Sequence, residues 1–205
     1  MRMTNPHNLI AYRRWTPVYD ATVNRIVTPG RKRALSLLNL QPGENVLIVG
    51  VGTGADFPFL PAGVNATGID LSPDMLAKAR LKLPACRATV KLIQGDAQAL
   101  LEPEKSYETA ILNLILSVVP DGRACLQSTL RAVKSGGRLV IFDKFQADNE
   151  KVTPGRRFMN FFSTRLGTDI TRRLGDMLAG CACRVLLDEP NLWGGMYRVI
   201  LLRKD

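Results

Sequence analysis

The sequence has few of the side chains that build metal centres. It contains a single histidine, His7, and four cysteines, none of which forms a Cys-x-x-Cys pair. Zinc sites need cysteine and histidine ligands at short spacings, so we expect no metal ion in this chain. The same pattern favours reduced thiols over a disulfide framework, which is typical of cytoplasmic proteins.

Long apolar segments are also absent. No apolar run approaches the ~18 residues that a membrane-spanning helix needs, and the N-terminus lacks the apolar region of a signal peptide. Apolar residues make up 46% and charged residues 22% of the 205 residues, which is ordinary for a protein with one sizeable core. We therefore expect one domain over residues 1–205, in the cytoplasm.

Acidic residues are scarce relative to basic ones. The chain has 28 lysines and arginines against 18 acids, for a net charge of +10. Residues 1–40 hold seven basic residues and one acid, and residues 144–184 hold eight basic residues and four acids. This charge predicts attraction to an anionic partner: nucleic acid, an anionic membrane surface or an acidic substrate.

The most informative segment is an apolar run that leads into alternating glycines. Residues 46–49 are apolar, and Gly50, Gly52 and Gly54 follow. This pattern predicts a buried strand, a tight turn and the start of a short helix that ends near Pro61. Before it, residues 1–44 are predicted as amphipathic helices with breaks that include Pro29-Gly30.

Strands and helices alternate in the rest of the chain. Further strands are predicted at about 65–70, 90–94, 107–116 and 138–143, with a helix starting at Ser72-Pro73 and another over about 122–133. Two helices are predicted within 146–180, followed by strands at about 182–188 and 195–203. Such alternation predicts an α/β fold with a doubly wound, mostly parallel sheet.

Acids follow the second and third predicted strands. Asp70 ends one, and Asp96 follows the next. The carboxyl ends of parallel strands meet at one edge of a sheet, where nucleotides bind. Asp70 there is placed to accept hydrogen bonds from ribose hydroxyls. Because Gly50 to Ala55 also satisfies G-x-G-x-x-A, the turn alone fits a dinucleotide equally well.

Residues 43–145 resemble the class I S-adenosylmethionine-dependent methyltransferases. The resemblance implies a Rossmann-like, seven-stranded sheet with an antiparallel last strand and N-terminal helices. It also implies S-adenosylmethionine as cofactor. The motifs that carry it are PGENVL at 42–47 before G-x-G-x-G, GIDLSPDMLAKAR at 68–80, GDA at 95–97 and KSGGRL at 134–139.

The resemblance implies a role for the residues at the strand ends. Asp70 would hold the ribose. Leu71 and Met75 would flank the adenine, and Asp96 would accept from the adenine amino group beside the Ala97 backbone. The methionine part of the cofactor would be bordered by the glycine turn: Gly50, Gly52, Thr53 and Gly54.

Three further positions bear on catalysis. Asn113, at the end of the fourth strand, would lie under the sulfonium and face the substrate. Tyr19 is the candidate catalytic residue that closes the site, since a Tyr-Asp pair precedes the core in related methyltransferases. Ile48 stands where the family usually has an acid that orients the methionine amino group.

A finer resemblance indicates a phospholipid acceptor. YRRWTPVYD at 12–20, Gly30-Arg31 and SVVPD at 117–121 are similar to soluble bacterial phosphatidylethanolamine N-methyltransferases. Asn113 replaces a family histidine. The alternatives are a methyltransferase for a quinone ring or another small apolar metabolite, and a cofactor-binding protein without activity, which Ile48 favours.

The basic flanks predict contact with an anionic membrane surface. Arg13-Arg14-Trp15 and residues 156–162 mix basic and aromatic side chains, as interfacial helices do. The same composition fits nucleic acid or a solvated helix face. Nucleic acid is disfavoured because the fourth strand lacks the N/D-P-P-Y/F signature of base methyltransferases. We expect an N-terminal cap at 1–42, a cofactor-binding core at 43–145, a substrate-side insertion at 146–181 and final strands at 182–205.

Overall fold

The computed structural model describes residues 24–146 and 168–205, which contain a seven-stranded sheet. The strands are β1 (Asn45–Val49), β2 (Asn65–Asp70), β3 (Thr89–Gln94), β4 (Tyr107–Asn113), β5 (Val133–Lys144), β6 (Cys183–Pro190) and β7 (Tyr197–Lys204). Their order across the sheet is β3-β2-β1-β4-β5-β7-β6. The first five strands pair in parallel, and β7 runs antiparallel to both β5 and β6. The predicted Rossmann-like fold is confirmed.

Helices connect the strands and cover both faces of the sheet. They are α1 over residues 24–38, α2 (Pro73–Lys82), α3 (Gly122–Ala132) and α4 (Leu174–Leu178). Short 3₁₀ turns lie at Phe57–Phe59, Leu83–Ala85 and Trp193–Gly195. As predicted, α2 begins at Ser72, whose hydroxyl accepts a hydrogen bond from the Met75 amide at 3.3 Å.

The core lies on both faces of the sheet. Along β1, Leu47 and Val49 belong to one buried cluster, and Val46 and Ile48 belong to the other. Because both faces of β1 are covered, the strand is apolar at consecutive positions rather than alternating. Burial of such a side chain stabilises the fold by about 1.5–3 kcal/mol.

Four predicted boundaries are wrong. The fifth strand begins at Val133 rather than at about residue 138. The chain does not break at Pro29-Gly30, because α1 continues through both residues. A Cβ on Gly30 would lie 2.3 Å from the Phe142 ring, so this glycine lets α1 pack closely on β5. The helix predicted after Gly54 is the short 3₁₀ turn at Phe57–Phe59. The fourth strand ends at Asn113 because the backbone turns at Leu114, whose φ is +61°.

The flanking segments are described only in part. Tyr19, Arg13-Arg14-Trp15 and residues 156–162 lie outside the described residues, as does most of the predicted 146–181 insertion. The division of the chain into four segments stays a prediction. Within residues 24–146 and 168–205, no helix combines the length and the apolar composition needed to cross a membrane.

Candidate functional site

A cleft opens at the carboxyl ends of β1, β2, β3 and β4. These strands end at one edge because they run parallel, so the residues that follow them come together. The predicted site residues that line the cleft are Gly50, Gly52, Thr53, Asp70, Leu71, Met75, Asp96, Ala97 and Asn113. Their contacts with a ligand stay a prediction. Gly54 has another role, because its missing Cβ makes room for the Phe57 ring, 2.5 Å from where that atom would be.

The glycine turn leaves space for a ligand at Gly52. Its φ is +55°, a left-handed conformation that glycine adopts without cost. A Cβ built on Gly52 would meet no protein atom nearer than the Gly50 carbonyl oxygen, at 4.0 Å. At Gly50, by contrast, a Cβ would lie 2.5 Å from Ile115. The open space above Gly52 therefore belongs to the cleft.

Asp70 joins the glycine turn to the start of α2. Its carboxylate accepts hydrogen bonds from the Gly52 amide at 2.8 Å and from the Ser72 amide at 2.9 Å. Burial raises the pKa of Asp70 above its ordinary value, and these backbone donors oppose that rise. The Leu71 amide is a third backbone donor to this carboxylate. A carboxylate offers about four lone-pair sites, so these donors still leave capacity for a hydroxyl group in the cleft.

Asp96 has a local partner as well as a place in the cleft. Its carboxylate accepts from the Gln98 amide at 2.9 Å and from the Gln98 side chain at 3.0 Å. This arrangement fixes the turn after β3. The carboxylate lies beside Ala97 at the cleft wall, where an amino group of a ligand can still reach it.

The cleft is apolar beyond the end of β4. Ile115, Val118, Val119 and Pro120 line this wall. Arg172 holds it in place, donating to the carbonyl oxygens of Leu116, Val119 and Pro120. The buried Asp143 carboxylate accepts from the Ser117 amide at 2.9 Å. The cleft therefore offers a ligand an apolar wall with a fixed backbone at this end.

Sequence reasoning missed two charged residues at the β1–β4 end of the cleft. Arg31 of α1 lines the cleft, and its Nη1 lies 2.9 Å from the Asp56 carboxylate. Asn113 donates from Nδ2 to the same carboxylate oxygen at 2.9 Å. Asp56 is the sole acid between Glu44 and Asp70, and this isolation directly after the glycine turn was the available signal.

The sequence of residues 47–141 matches the family model described as a methyltransferase domain. Over 196 residues the chain is 29% identical to a phosphatidylethanolamine N-methyltransferase from Cereibacter sphaeroides, covering 95% of this chain and 96% of that relative. It is 34% identical to a demethylmenaquinone methyltransferase from Listeria welshimeri over 143 residues. That match covers 64% of this chain and 59% of the relative, so the chain spans less than two thirds of the quinone enzyme.

Solved structures share the fold at low sequence identity. A methyltransferase from Thermotoga maritima that depends on S-adenosylmethionine superposes with a TM-score of 0.69 at 19% identity, covering 95% of this chain and 99% of that one. A second, from Aquifex aeolicus, gives a TM-score of 0.63 at 16% identity, with 85% and 89% covered. The fold of the chain is therefore common to these proteins.

Proposed function

Because the chain is an S-adenosylmethionine-dependent methyltransferase, we propose that it methylates the amino group of phosphatidylethanolamine at an anionic membrane surface. The observation that carries this proposal is the similarity to the Cereibacter sphaeroides enzyme, which extends over 95% of the chain. The matched residues therefore include at least part of each basic flank, in addition to the predicted cofactor-binding core at 43–145. The net charge of +10 fits an anionic surface, where each basic residue contributes about 1 kcal/mol of binding.

The lining of the cleft fits the cofactor. Gly52 leaves space for it, Asp70 has lone pairs for the ribose hydroxyls, and Asp96 lies where the adenine amino group would be. Leu71 and Met75 are half-buried at the cleft and supply apolar walls for the adenine ring. When bound, S-adenosylmethionine supplies a methyl group on a positively charged sulfur.

The apolar wall after β4 suits methyl transfer to an amine. With S-adenosylmethionine bound, a dry wall with few fixed charges would favour the reaction, because methyl transfer disperses the charge of a sulfonium. Ile115, Val118 and Val119 provide such surroundings. The acceptor nitrogen attacks with a free lone pair, so its proton must leave beforehand. The protein then needs to align the two reactants and exclude water.

The edge that carries the cleft also presents an exposed aromatic side chain. Trp193 is 61% exposed in the turn between β6 and β7, with its ring 5.4 Å from that of Tyr197. Tyr197 pairs with Lys144 at the carboxyl end of β5, so Trp193 lies at the same edge as the cleft. Tryptophan is favoured at membrane–water interfaces, and its position here supports membrane contact at this edge.

Replacing Trp193 by alanine is expected to weaken binding to anionic liposomes by about tenfold, because an interfacial tryptophan contributes of order 1–2 kcal/mol through its buried area. Sedimentation with phosphatidylglycerol-containing vesicles at low salt measures this. Leu81→Ala is the matched control, since Leu81 is 82% exposed near the end of α2, which runs back from the cleft edge. Equal binding of Trp193→Ala and wild type to these vesicles would contradict membrane contact at the cleft edge.

Cofactor affinity is expected to fall on acidification at a higher pH than an exposed aspartate would give. Burial raises the pKa of Asp70 above 3.8, and the cofactor hydroxyls favour its ionised form. Below that raised pKa, affinity should weaken by about tenfold per pH unit. Calorimetric titrations from pH 8 down to the lowest pH at which circular dichroism still shows the native fold measure the profile. Asp74→Asn, which removes an exposed carboxylate, should not shift it; a flat wild-type profile over this range would contradict the assignment.

A quinone ring is the second candidate acceptor, favoured by the 34% identity to the Listeria enzyme. Formation of S-adenosylhomocysteine with phosphatidylethanolamine in phosphatidylglycerol vesicles, and separately with demethylmenaquinone in phosphatidylglycerol vesicles that lack phosphatidylethanolamine, separates the two. We expect turnover with the phospholipid alone. Turnover only with the quinone would replace the proposal, and turnover with neither would refute both acceptors.

A further inference from the structure

We infer that Asp56 takes over the function of the acid missing from β1, and that it does so by holding Arg31 and Asn113 as a binding site for the charged amino-acid end of the cofactor. Position 48 carries isoleucine, which is 1% exposed and packed in the apolar core. Strand β1 therefore supplies no carboxylate to this end of the cleft. Asp56 follows the glycine turn and supplies one from another direction.

The order of the strands places the amino-acid end of the cofactor at Arg31. Asp96 follows β3, Asp70 ends β2, and the β1 turn comes next, beside β4. An adenosine whose base lies at Asp96 and whose ribose lies at Asp70 directs its remaining substituent toward β1 and β4. Arg31 and Asn113 line the cleft there.

The Asp56 carboxylate is committed to these two side chains. Asp56 is 2% exposed, and its side chain does not cap the 3₁₀ turn that follows it. One oxygen, Oδ1, accepts from Arg31 at 2.9 Å and from Asn113 at 2.9 Å. The carboxylate also fixes the orientation of the Asn113 amide, because only its NH₂ group can donate to an acceptor.

Two buried polar atoms of this cluster lack a hydrogen-bond partner among the described residues. They are Nε of Arg31, a donor, and Oδ1 of Asn113, an acceptor. Buried polar groups are nearly always paired, so an unpaired donor and acceptor on one cleft wall point to a ligand that supplies both partners. A carboxylate and an ammonium group on one carbon have this chemistry. The methionine end of S-adenosylmethionine carries both.

Arg31 is thus assigned to the carboxylate and Asn113 to the ammonium group of the ligand. Asp56 is a positioning residue that holds both side chains. The ion pair with Asp56 also keeps the local charge near zero until the ligand arrives. This inference rests on the proposed binding of S-adenosylmethionine and does not depend on which acceptor is methylated. It holds equally for phosphatidylethanolamine and quinone methylation.

The test compares two nucleosides that differ only at this end. S-adenosylhomocysteine carries the carboxylate and the ammonium group, whereas 5′-methylthioadenosine retains the adenosine and the sulfur but lacks both. By calorimetry, Arg31→Met and Asp56→Asn should each lower the affinity for S-adenosylhomocysteine by about 10- to 100-fold, since bonds to charged groups are the stronger ones. Affinity for 5′-methylthioadenosine should stay within about twofold of wild type.

Two further variants keep the test decisive. Arg33→Met is the matched control: it lies on the same helix and pairs with Glu189 at 2.7 Å, and should change neither affinity. Asn113→Ala leaves the ion pair intact, so it covers the case in which Asp56→Asn does not fold, and it should show the same selective loss. Equal losses for both nucleosides, or no loss for S-adenosylhomocysteine, would overturn the inference. Wild-type protein that binds neither nucleoside would refute the cofactor site itself.

Discussion

Replacing Asp70 by alanine is expected to abolish measurable binding of S-adenosylmethionine. The carboxylate would accept a hydrogen bond from the ribose hydroxyls, and a bond to a charged group contributes about 1.5–3 kcal/mol. The carboxylate also accepts hydrogen bonds from the Gly52 and Ser72 amides, so its removal takes away a contact that holds the glycine turn in place. The two effects act in the same direction, and we expect a loss of affinity of at least about 100-fold.

The matched control is Asp74→Ala. Asp74 lies in the first turn of α2 and is exposed, so its loss removes the same charge without touching the cleft. Calorimetry with S-adenosylmethionine should give wild-type affinity for Asp74→Ala and no detectable heat for Asp70→Ala. Unchanged affinity of Asp70→Ala would remove the ribose assignment and, with it, the orientation of the cofactor in the cleft.

The second large effect is expected for Gly52→Ala. An alanine at this φ of +55° costs roughly 1–2 kcal/mol of folding stability, because Cβ approaches the neighbouring carbonyl oxygen. No other protein atom crowds the new methyl group, since the nearest lies at 4.0 Å. The methyl group would instead fill the space that we propose for the cofactor. We expect a modest fall in melting temperature and a loss of cofactor affinity of about 100-fold or more.

Gly43→Ala separates the backbone cost from the loss of space. Gly43 also has a positive φ, +87°, and a Cβ there would meet nothing within 4 Å. It lies before β1, at the opposite edge from the cleft. Both variants should lose stability by a similar amount, whereas only Gly52→Ala should lose cofactor binding. Wild-type affinity in Gly52→Ala would show that the cofactor does not lie over this turn.

That the residues predicted to bind the cofactor lie at one edge of the sheet was predictable from local signals. An apolar run before alternating glycines, and acids at the ends of later strands, identified Gly52, Asp70 and Asp96 as neighbours. This works because parallel strands bring their carboxyl ends to one edge whatever the details of packing. The start of α2 at Ser72 was equally local, since it depends on the cap and on Pro73.

The charged cluster at the other end of the cleft was not predictable in this way. Arg31 and Asp56 are 25 residues apart, and their contact depends on how α1 packs over the sheet. The same packing explains the wrong prediction of a break at Pro29-Gly30. Gly30 lets α1 approach the Phe142 ring, and this tertiary contact outweighs the local preference of proline and glycine to end a helix.

The position of the exposed Trp193 at the cleft edge was likewise not predictable from the sequence. The turn that holds it follows from Gly194-Gly195, but its position at the cleft edge depends on β7 pairing with β5 in antiparallel register. A strand inserted between β5 and β6 cannot be recognised from hydrophobic pattern alone. The resemblance to a family with an antiparallel last strand supplied that expectation.

The most direct test follows the methyl group. Wild-type protein is incubated with S-adenosylmethionine carrying a ¹³C-labelled methyl group and with phosphatidylethanolamine in anionic vesicles, and the lipid is analysed by mass spectrometry. Asp70→Ala, which removes the proposed contact with the ribose, serves as the negative control. We predict labelled methyl groups on the headgroup nitrogen with wild type and none with the variant. An unlabelled headgroup in the presence of bound cofactor would contradict phosphatidylethanolamine as the acceptor.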